Sequence, residues 1–197
     1  SKDYAKERLS LVSMEKATPS TEIAAGEIVL KESMETTHYS AMDKQGNIVG
    51  ITTTINHSYG NKKIVDGAGF LLNNEMDDFS SKPGQQNTYG LIGYSANSIQ
   101  PSKRPLSSMT PSLIIDKEGN RMMTIGAAGG SRIITAVLQT IISVIDHNLG
   151  IQEAIDLPRT HSQWLPDVIR YEAKALTDKQ KKELTQLNHM FEHDGNV

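Results

Sequence analysis

An α/β (α+β) fold is predicted for this chain by three observations. Two short β-rich runs each fold back through an Asp-Lys-X-Gly-Asn turn, one long apolar helix follows a glycine pair, and 197 residues at 37% apolar and 22% charged suffice for one core. In chain order, Tyr4 to Ser13 reads as a short amphipathic helix, and Ala17-Thr18-Pro19-Ser20 through Gly26 as an exposed linker. His38 to Met42 and Asn47 to Ile55 form a hairpin around Asp43-Lys44-Gln45-Gly46-Asn47. Leu113 to Ile115 and Arg121 to Ile125 repeat it around Asp116-Lys117-Glu118-Gly119-Asn120, with glycine supplying a positive φ in each. Ser131 to His147 is apolar around so much of its circumference that burial on more than one side is expected. Ile151 to Leu157 is a shorter helix stopped by Pro158, and Thr177 N-caps a Lys-rich helix running to Leu187.

Composition excludes several classes of function. A net charge of -3 offers no general attraction for nucleic acid or anionic membrane. The absence of cysteine removes disulfides, thiol nucleophiles and thiolate metal sites. The six histidines have no metal-ligand spacing, and the acidic residues form no zinc or calcium pattern, so no metal and no cofactor is expected. No apolar run is long enough to span a bilayer, and the charged start, Ser1-Lys2-Asp3-Tyr4, does not read as a signal peptide. Gly126-Ala127-Ala128-Gly129-Gly130 resembles a phosphate loop only superficially, because it lacks the strand-anchored glycine pattern and any Walker lysine.

The most informative stretch is Glu35-Thr36-Thr37-His38-Tyr39-Ser40. A threonine hydroxyl is a poor nucleophile near neutral pH, but an N-terminal threonine carries its own base, an α-amino group with a pKa of about 7.7 to 8. Cleavage between Glu35 and Thr36 would create that arrangement. Taken alone, Thr36-Thr37 before an alternating run is far more often an ordinary strand entry.

Other segments decide between these readings. Thr36-Thr37-His38-Tyr39-Ser40, Thr52-Thr53-Thr54-Ile55-Asn56, Leu72-Asn73-Asn74-Glu75-Met76-Asp77-Asp78-Phe79, Lys103-Arg104-Pro105-Leu106-Ser107-Ser108-Met109 and Gly129-Gly130-Ser131-Arg132 resemble, in order, signatures of the gamma-glutamyltranspeptidase family. Pro158-Arg159 and Gln163-Trp164-Leu165-Pro166 continue the likeness. The resemblance implies an N-terminal-nucleophile hydrolase αββα sandwich, present here in part. Residues 1–35 would be the tail of the large-subunit region, and residues 36–197 the small-subunit catalytic region, ending before further strands.

The resemblance also implies roles. Thr36 would attack the Glu35 carbonyl, undergo an N-to-O acyl shift and, once freed by hydrolysis, attack a γ-glutamyl donor. Thr54 would hold the Thr36 hydroxyl in one rotamer, and Asn56 would contact the bound glutamyl group or Thr36 itself. Asp78 and Glu75 match the acidic side of a clamp for the donor's α-ammonium. Ser107 and Ser108, stiffened by Pro105, match the hydroxyl pair for its α-carboxylate. Gly129 and Gly130 would form the oxyanion hole, with Ala128 where the family more commonly has proline. Glutathione or another γ-glutamyl compound is the implied donor, and water, an amino acid or a peptide the acceptor.

A periplasmic or secreted setting and a missing large-subunit portion complete the expectation. An apolar face left open for that portion would favour association. Two alternatives share these residues: a relative acting on poly-γ-glutamate or a cephalosporin side chain, and an uncleaved, non-catalytic fragment.

Overall fold

The computed structural model describes residues 12, 13, 15–19, 36–85, 87 and 91–195. Most of the expected Tyr4 to Ser13 helix, most of the linker, and Glu35 lie outside the described residues; Val12 and Ser13 carry no regular structure.

Both hairpins form where the turns predict them. Strand β1 (Thr37–Met42) pairs antiparallel with β2 (Ile48–Thr53), with Thr37 opposite Thr53 and His38 opposite Thr52. Strand β3 (Ser112–Ile115) pairs with β4 (Arg121–Ile125), with an irregularity between Ile114 and Ile115. The two turns use the same device. Asp43 accepts from the Gln45 and Asn47 N–H groups at 2.9 and 2.8 Å and from Asn47 Nδ2 at 2.7 Å, and Asp116 repeats this with Glu118 and Asn120 at 2.9, 2.8 and 2.7 Å. These donors hold both carboxyls below the usual range, the asparagine side chain acting most strongly. Gly46 and Gly119 close the turns at φ +80 and +87, a conformation that carries no steric penalty for glycine. The hairpins lie side by side, β2 against β4.

Helix α1 (Arg132–Ile145) is where the sequence expectation needs correcting. Ile133, Ala136, Val137, Thr140 and Ser143 are buried, but Ile134, Leu138, Ile142 and Ile145 form a second apolar stripe that is exposed. The helix is therefore covered on one side within this chain, because nothing among the described residues packs on the other. Helix α2 (Ile151–Asp156) rests on α1 through buried Ala154.

A three-stranded sheet follows, in which β5 (Thr160–His161) pairs antiparallel with β6 (Ile169–Tyr171) and β6 pairs parallel with β7 (Phe191–His193). Between β6 and β7 runs α3 (Asp178–Gln186). As expected, Thr177 caps it, in a box where Thr177 Oγ1 accepts from the Gln180 N–H at 3.2 Å and Gln180 Oε1 accepts from the Thr177 N–H at 2.9 Å. Among the described residues the buried apolar set is small: Phe79, Ile133, Ala136, Val137, Ala154 and Leu165. Apolar side chains on the hairpins, Tyr39, Met42, Val49, Ile51, Leu113, Ile115 and Met122, are exposed, as the open-face expectation requires.

Candidate active site

Residues separated by nearly a hundred positions meet in one open cleft. Thr36, Thr54, Asn56, Asp78, Ser107, Ser108 and Gly130 all line it, joined by Asn87, Leu91, Leu106, Met109, Ser131 and Ile133. Seven of the residues expected from sequence are thereby brought together. Glu75 and Gly129 stand behind the lining, and Glu35 is outside the described residues.

Strand register explains the nucleophile side. Thr37 is opposite Thr53, so one further step places Thr36 across from Thr54, at the end of the hairpin that faces the cleft. Strand alternation keeps Thr52 and Thr54 half-buried and turns Thr53 outward. Thr54 Oγ1 accepts from the Asn56 N–H at 3.0 Å. Asn56 is 2% exposed and sits at φ +74, a left-handed conformation that asparagine tolerates better than most side chains. Its Nδ2 donates to the Asn74 carbonyl at 3.1 Å, while Asn74 itself accepts from the His57 N–H at 3.2 Å. The Leu72-Asn73-Asn74 segment is thus a bracket for Asn56.

His38 extends this polar edge. Its Nδ1 meets Thr52 Oγ1 at 2.8 Å and its Nε2 meets Ser40 Oγ at 3.1 Å, so the imidazole ties β1 to β2 two residues beyond Thr36.

The acidic side rests on a single 3-10 turn, Glu75–Asp78, whose i,i+3 spacing stacks the two carboxyls on one edge. Burial is the first cause of their shared perturbation. It raises Asp78, and it pushes Glu75 up to about 7, with the hydrogen bond to Asp78 and its charge adding to the effect. Two half-buried carboxyls held this way resist ionising together and favour an incoming cation.

Asn97 was not legible as a site residue, yet it positions both halves of the expected clamp. Its Nδ2 donates to the Asp78 carbonyl at 2.7 Å and its Oδ1 accepts from the Leu106 N–H at 2.9 Å, fixing the distance between Asp78 and Ser107-Ser108. Ser107 Oγ also accepts from the Met109 N–H at 3.2 Å. Nothing in Ser95-Ala96-Asn97-Ser98 marks that role, because it depends on contacts across 19 and 9 residues of chain.

Opposite lies the glycine turn. Gly129 at φ +137 is buried and Gly130 at φ +57 reaches the cleft, both in conformations that a side chain would strain. The Gly129 and Gly130 carbonyls accept from the Arg132 and Ile133 N–H groups at 3.1 and 3.3 Å, feeding the turn into α1. His161 contacts Thr135 and Gln163, while Arg159 pairs with Glu172 at 3.5 Å. Among the described residues no group of three or more His, Asp or Glu side chains could hold a metal ion. No described helix is long and apolar enough to cross a membrane.

Comparison with known proteins places the chain in a family. The family described as Gamma-glutamyltranspeptidase matches residues 1–197. The chain belongs to that family. It is 49% identical over 171 residues to the glutathione hydrolase proenzyme of Escherichia coli K12, a match covering 87% of this chain and 29% of that protein. The gamma-glutamyltranspeptidase of Helicobacter pylori, solved as a threonine-to-alanine mutant, aligns with a TM-score of 0.77 at 51% identity, covering 80% of this chain and 84% of that one. The transpeptidase CapD of Bacillus anthracis, at 20% identity and a TM-score of 0.54 over 80% of this chain and 78% of that one, shares the fold alone. The N-terminal-nucleophile hydrolase class expected from the resemblance is the class of these gamma-glutamyltranspeptidase neighbours. The chain spans less than a third of the curated E. coli relative.

Proposed function

We propose that the protein containing this chain is a γ-glutamyl transferase and hydrolase acting on glutathione and related donors, with Thr36 as an N-terminal nucleophile. The observation that carries this reading is the convergence of Thr36, Thr54, Asp78, Ser107, Ser108 and Gly130 on one cleft in a member of the gamma-glutamyltranspeptidase family.

Activation comes first. The Thr36 hydroxyl attacks the Glu35 carbonyl, the peptide C–N bond gives way to an ester, and water cleaves the ester to leave a Glu35 carboxylate and a free Thr36 amine. Residues 1–35 then end a large-subunit portion and residue 36 begins the catalytic one. In turnover the Thr36 amine takes the proton of its own hydroxyl as oxygen attacks the γ-carbonyl of the donor. Negative charge on the carbonyl oxygen is met by N–H groups of the Gly129-Gly130 turn, where a single donor typically contributes about 3 to 4 kcal/mol. Collapse expels the amine with the proton held by Thr36 and leaves a γ-glutamyl ester. Water or an acceptor amine then attacks the ester.

Recognition uses charge at both ends of the glutamyl group. Asp78, backed by Glu75, takes the α-ammonium, and Ser107 with Ser108 donates to the α-carboxylate. An arginine for that carboxylate would come from the large-subunit portion. The periplasmic or secreted setting implied by family resemblance belongs to the same proposal.

The test is turnover of γ-glutamyl p-nitroanilide by the full-length protein, beside Thr36→Ala and Asp78→Asn. Release of p-nitroaniline by the unaltered protein, its loss in Thr36→Ala and a strongly raised KM in Asp78→Asn are expected. No release, together with cleavage of poly-γ-glutamate or of a glutaryl cephalosporin, would overturn the small-donor reading.

A further inference from the structure

Gln163 and His161 belong to a segment that has no part in the chemistry above, yet they reach the cleft wall through buried bonds. Ser131, 5% exposed and lining the cleft, donates its hydroxyl to Gln163 Oε1 at 2.6 Å. His161, 3% exposed, meets the same oxygen through Nε2 at 2.9 Å, and Gln163 Nε2 donates to the Leu165 carbonyl at 3.1 Å.

We infer that Gln163, braced by His161, is a positioning residue that holds the Gly129-Gly130-Ser131 turn rigid against the cleft. The inference rests on reading that cleft as a site of γ-glutamyl transfer. Bond directions support it. An amide oxygen only accepts, so the shared Gln163 Oε1 requires donors from both Ser131 and His161. His161 is then the neutral Nε2–H tautomer, with Nδ1 beside Thr135 Oγ1 at 2.8 Å, a hydroxyl whose proton is shared with the Arg132 carbonyl at 3.1 Å. Burial, the first cause of its lowered pKa, keeps the ring in that neutral form, against the opposing hydrogen bond to Gln163 and with Arg132 and Arg170 reinforcing it. Thr135 stands four residues after Ser131, one turn along the start of α1. The 161–165 segment therefore grips the entrance of the helix at two points.

This grip has a chemical use. Ser131 is not spent as a side-chain cap of α1; its hydroxyl is drawn to Gln163. The N–H groups of the glycine turn ride on the backbone so anchored, and donors stabilise developing charge best when they need not move to meet it.

The experiment uses the full-length protein with Ser131→Ala, Ser131→Thr, Gln163→Leu and the Ser131→Ala/Gln163→Leu pair. Each is assayed on γ-glutamyl p-nitroanilide and for affinity toward glutamate and toward a boronic acid analogue of glutamate, whose adduct with a hydroxyl is tetrahedral and anionic. In Ser131→Ala and Gln163→Leu, kcat is expected to fall about 10- to 100-fold with KM within threefold. Boronate affinity should fall alongside kcat while glutamate affinity holds. Ser131→Thr should restore most of kcat, and the double variant should be no worse than the poorer single one. Ser131→Ala removes one oxygen atom and keeps the test open if Gln163→Leu fails to fold. Unchanged kcat in the folded variants, multiplicative losses in the pair, or equal losses of glutamate and boronate affinity would overturn the positioning role. An unaltered protein that neither turns over the anilide nor binds the boronate would overturn the functional reading, and this role with it.

Discussion

Substitution of Glu75 by glutamine should remove a pH dependence that the acidic pair builds into donor binding. Burial and the neighbouring Asp78 push Glu75 up to about 7, so at neutral pH it is close to half ionised. An α-ammonium favours the doubly ionised pair, which means that binding tightens as pH rises through 7 and weakens below it. The ionised share falls about fivefold from pH 7 to 6 and about ninefold from 6 to 5, the ordinary titration of one group. A second carboxylate about 5 Å from an ammonium contributes about 3 kcal/mol at an effective dielectric constant near 20, enough to sustain roughly two pH units of response at about 1.4 kcal/mol each. The assay is the inhibition constant of glutamate against γ-glutamyl p-nitroanilide from pH 5 to 8.5. That constant isolates the clamp from the chemical step proposed for Thr36. The unaltered protein should lose about 50-fold in glutamate affinity from pH 7 to 5, and Glu75→Gln only a few-fold. A flat profile in the unaltered protein, or the same slope in Glu75→Gln, would refute the argument. Stability carries the opposite sign. Because the folded state holds this proton up to about pH 7 and an unfolded chain releases it near the ordinary value of 4.5, stability declines as pH rises between those limits. Glu75→Gln should remove that decline from the pH profile of the unfolding midpoint.

Further outcomes follow from packing. Gly126→Ala would put a methyl group into the His38 ring at Nδ1, at a negative φ where space alone is the obstacle, so a loss of about 1 to 3 kcal/mol in urea-induced unfolding of the full-length protein is expected. Leu138 and Ile142, 52% and 36% exposed on the open face of α1, should drive self-association of the isolated chain, and Leu138→Glu with Ile142→Glu should lower its sedimentation coefficient toward the monomer value.

Local chemistry was the legible part of the fold. Asp43 and Asp116 specify their turns by accepting from backbone N–H groups two and four residues away, and Thr177 with Gln180 specifies the start of α3 within three residues. The site was legible to the extent that a family signature carries it: Thr36, Thr54, Asp78 and the serine pair do converge. What escaped is long-range. Asn97 and Gln163 act through contacts that no local spacing encodes, the latter across 32 residues to Ser131. The two apolar stripes of α1 were read as burial, but an apolar stripe shows only that a face favours leaving water. Whether this chain or another segment covers it is a matter of tertiary contact.

The measurement that bears most directly on Thr36 is the intact mass of the purified chain after incubation at neutral pH, beside Thr36→Ala. Two pieces divided between Glu35 and Thr36, appearing only in the unaltered chain, are the expected result. A single uncut mass in both samples would contradict it, leaving Thr36 acylated by its neighbour and without the amine that its chemistry requires.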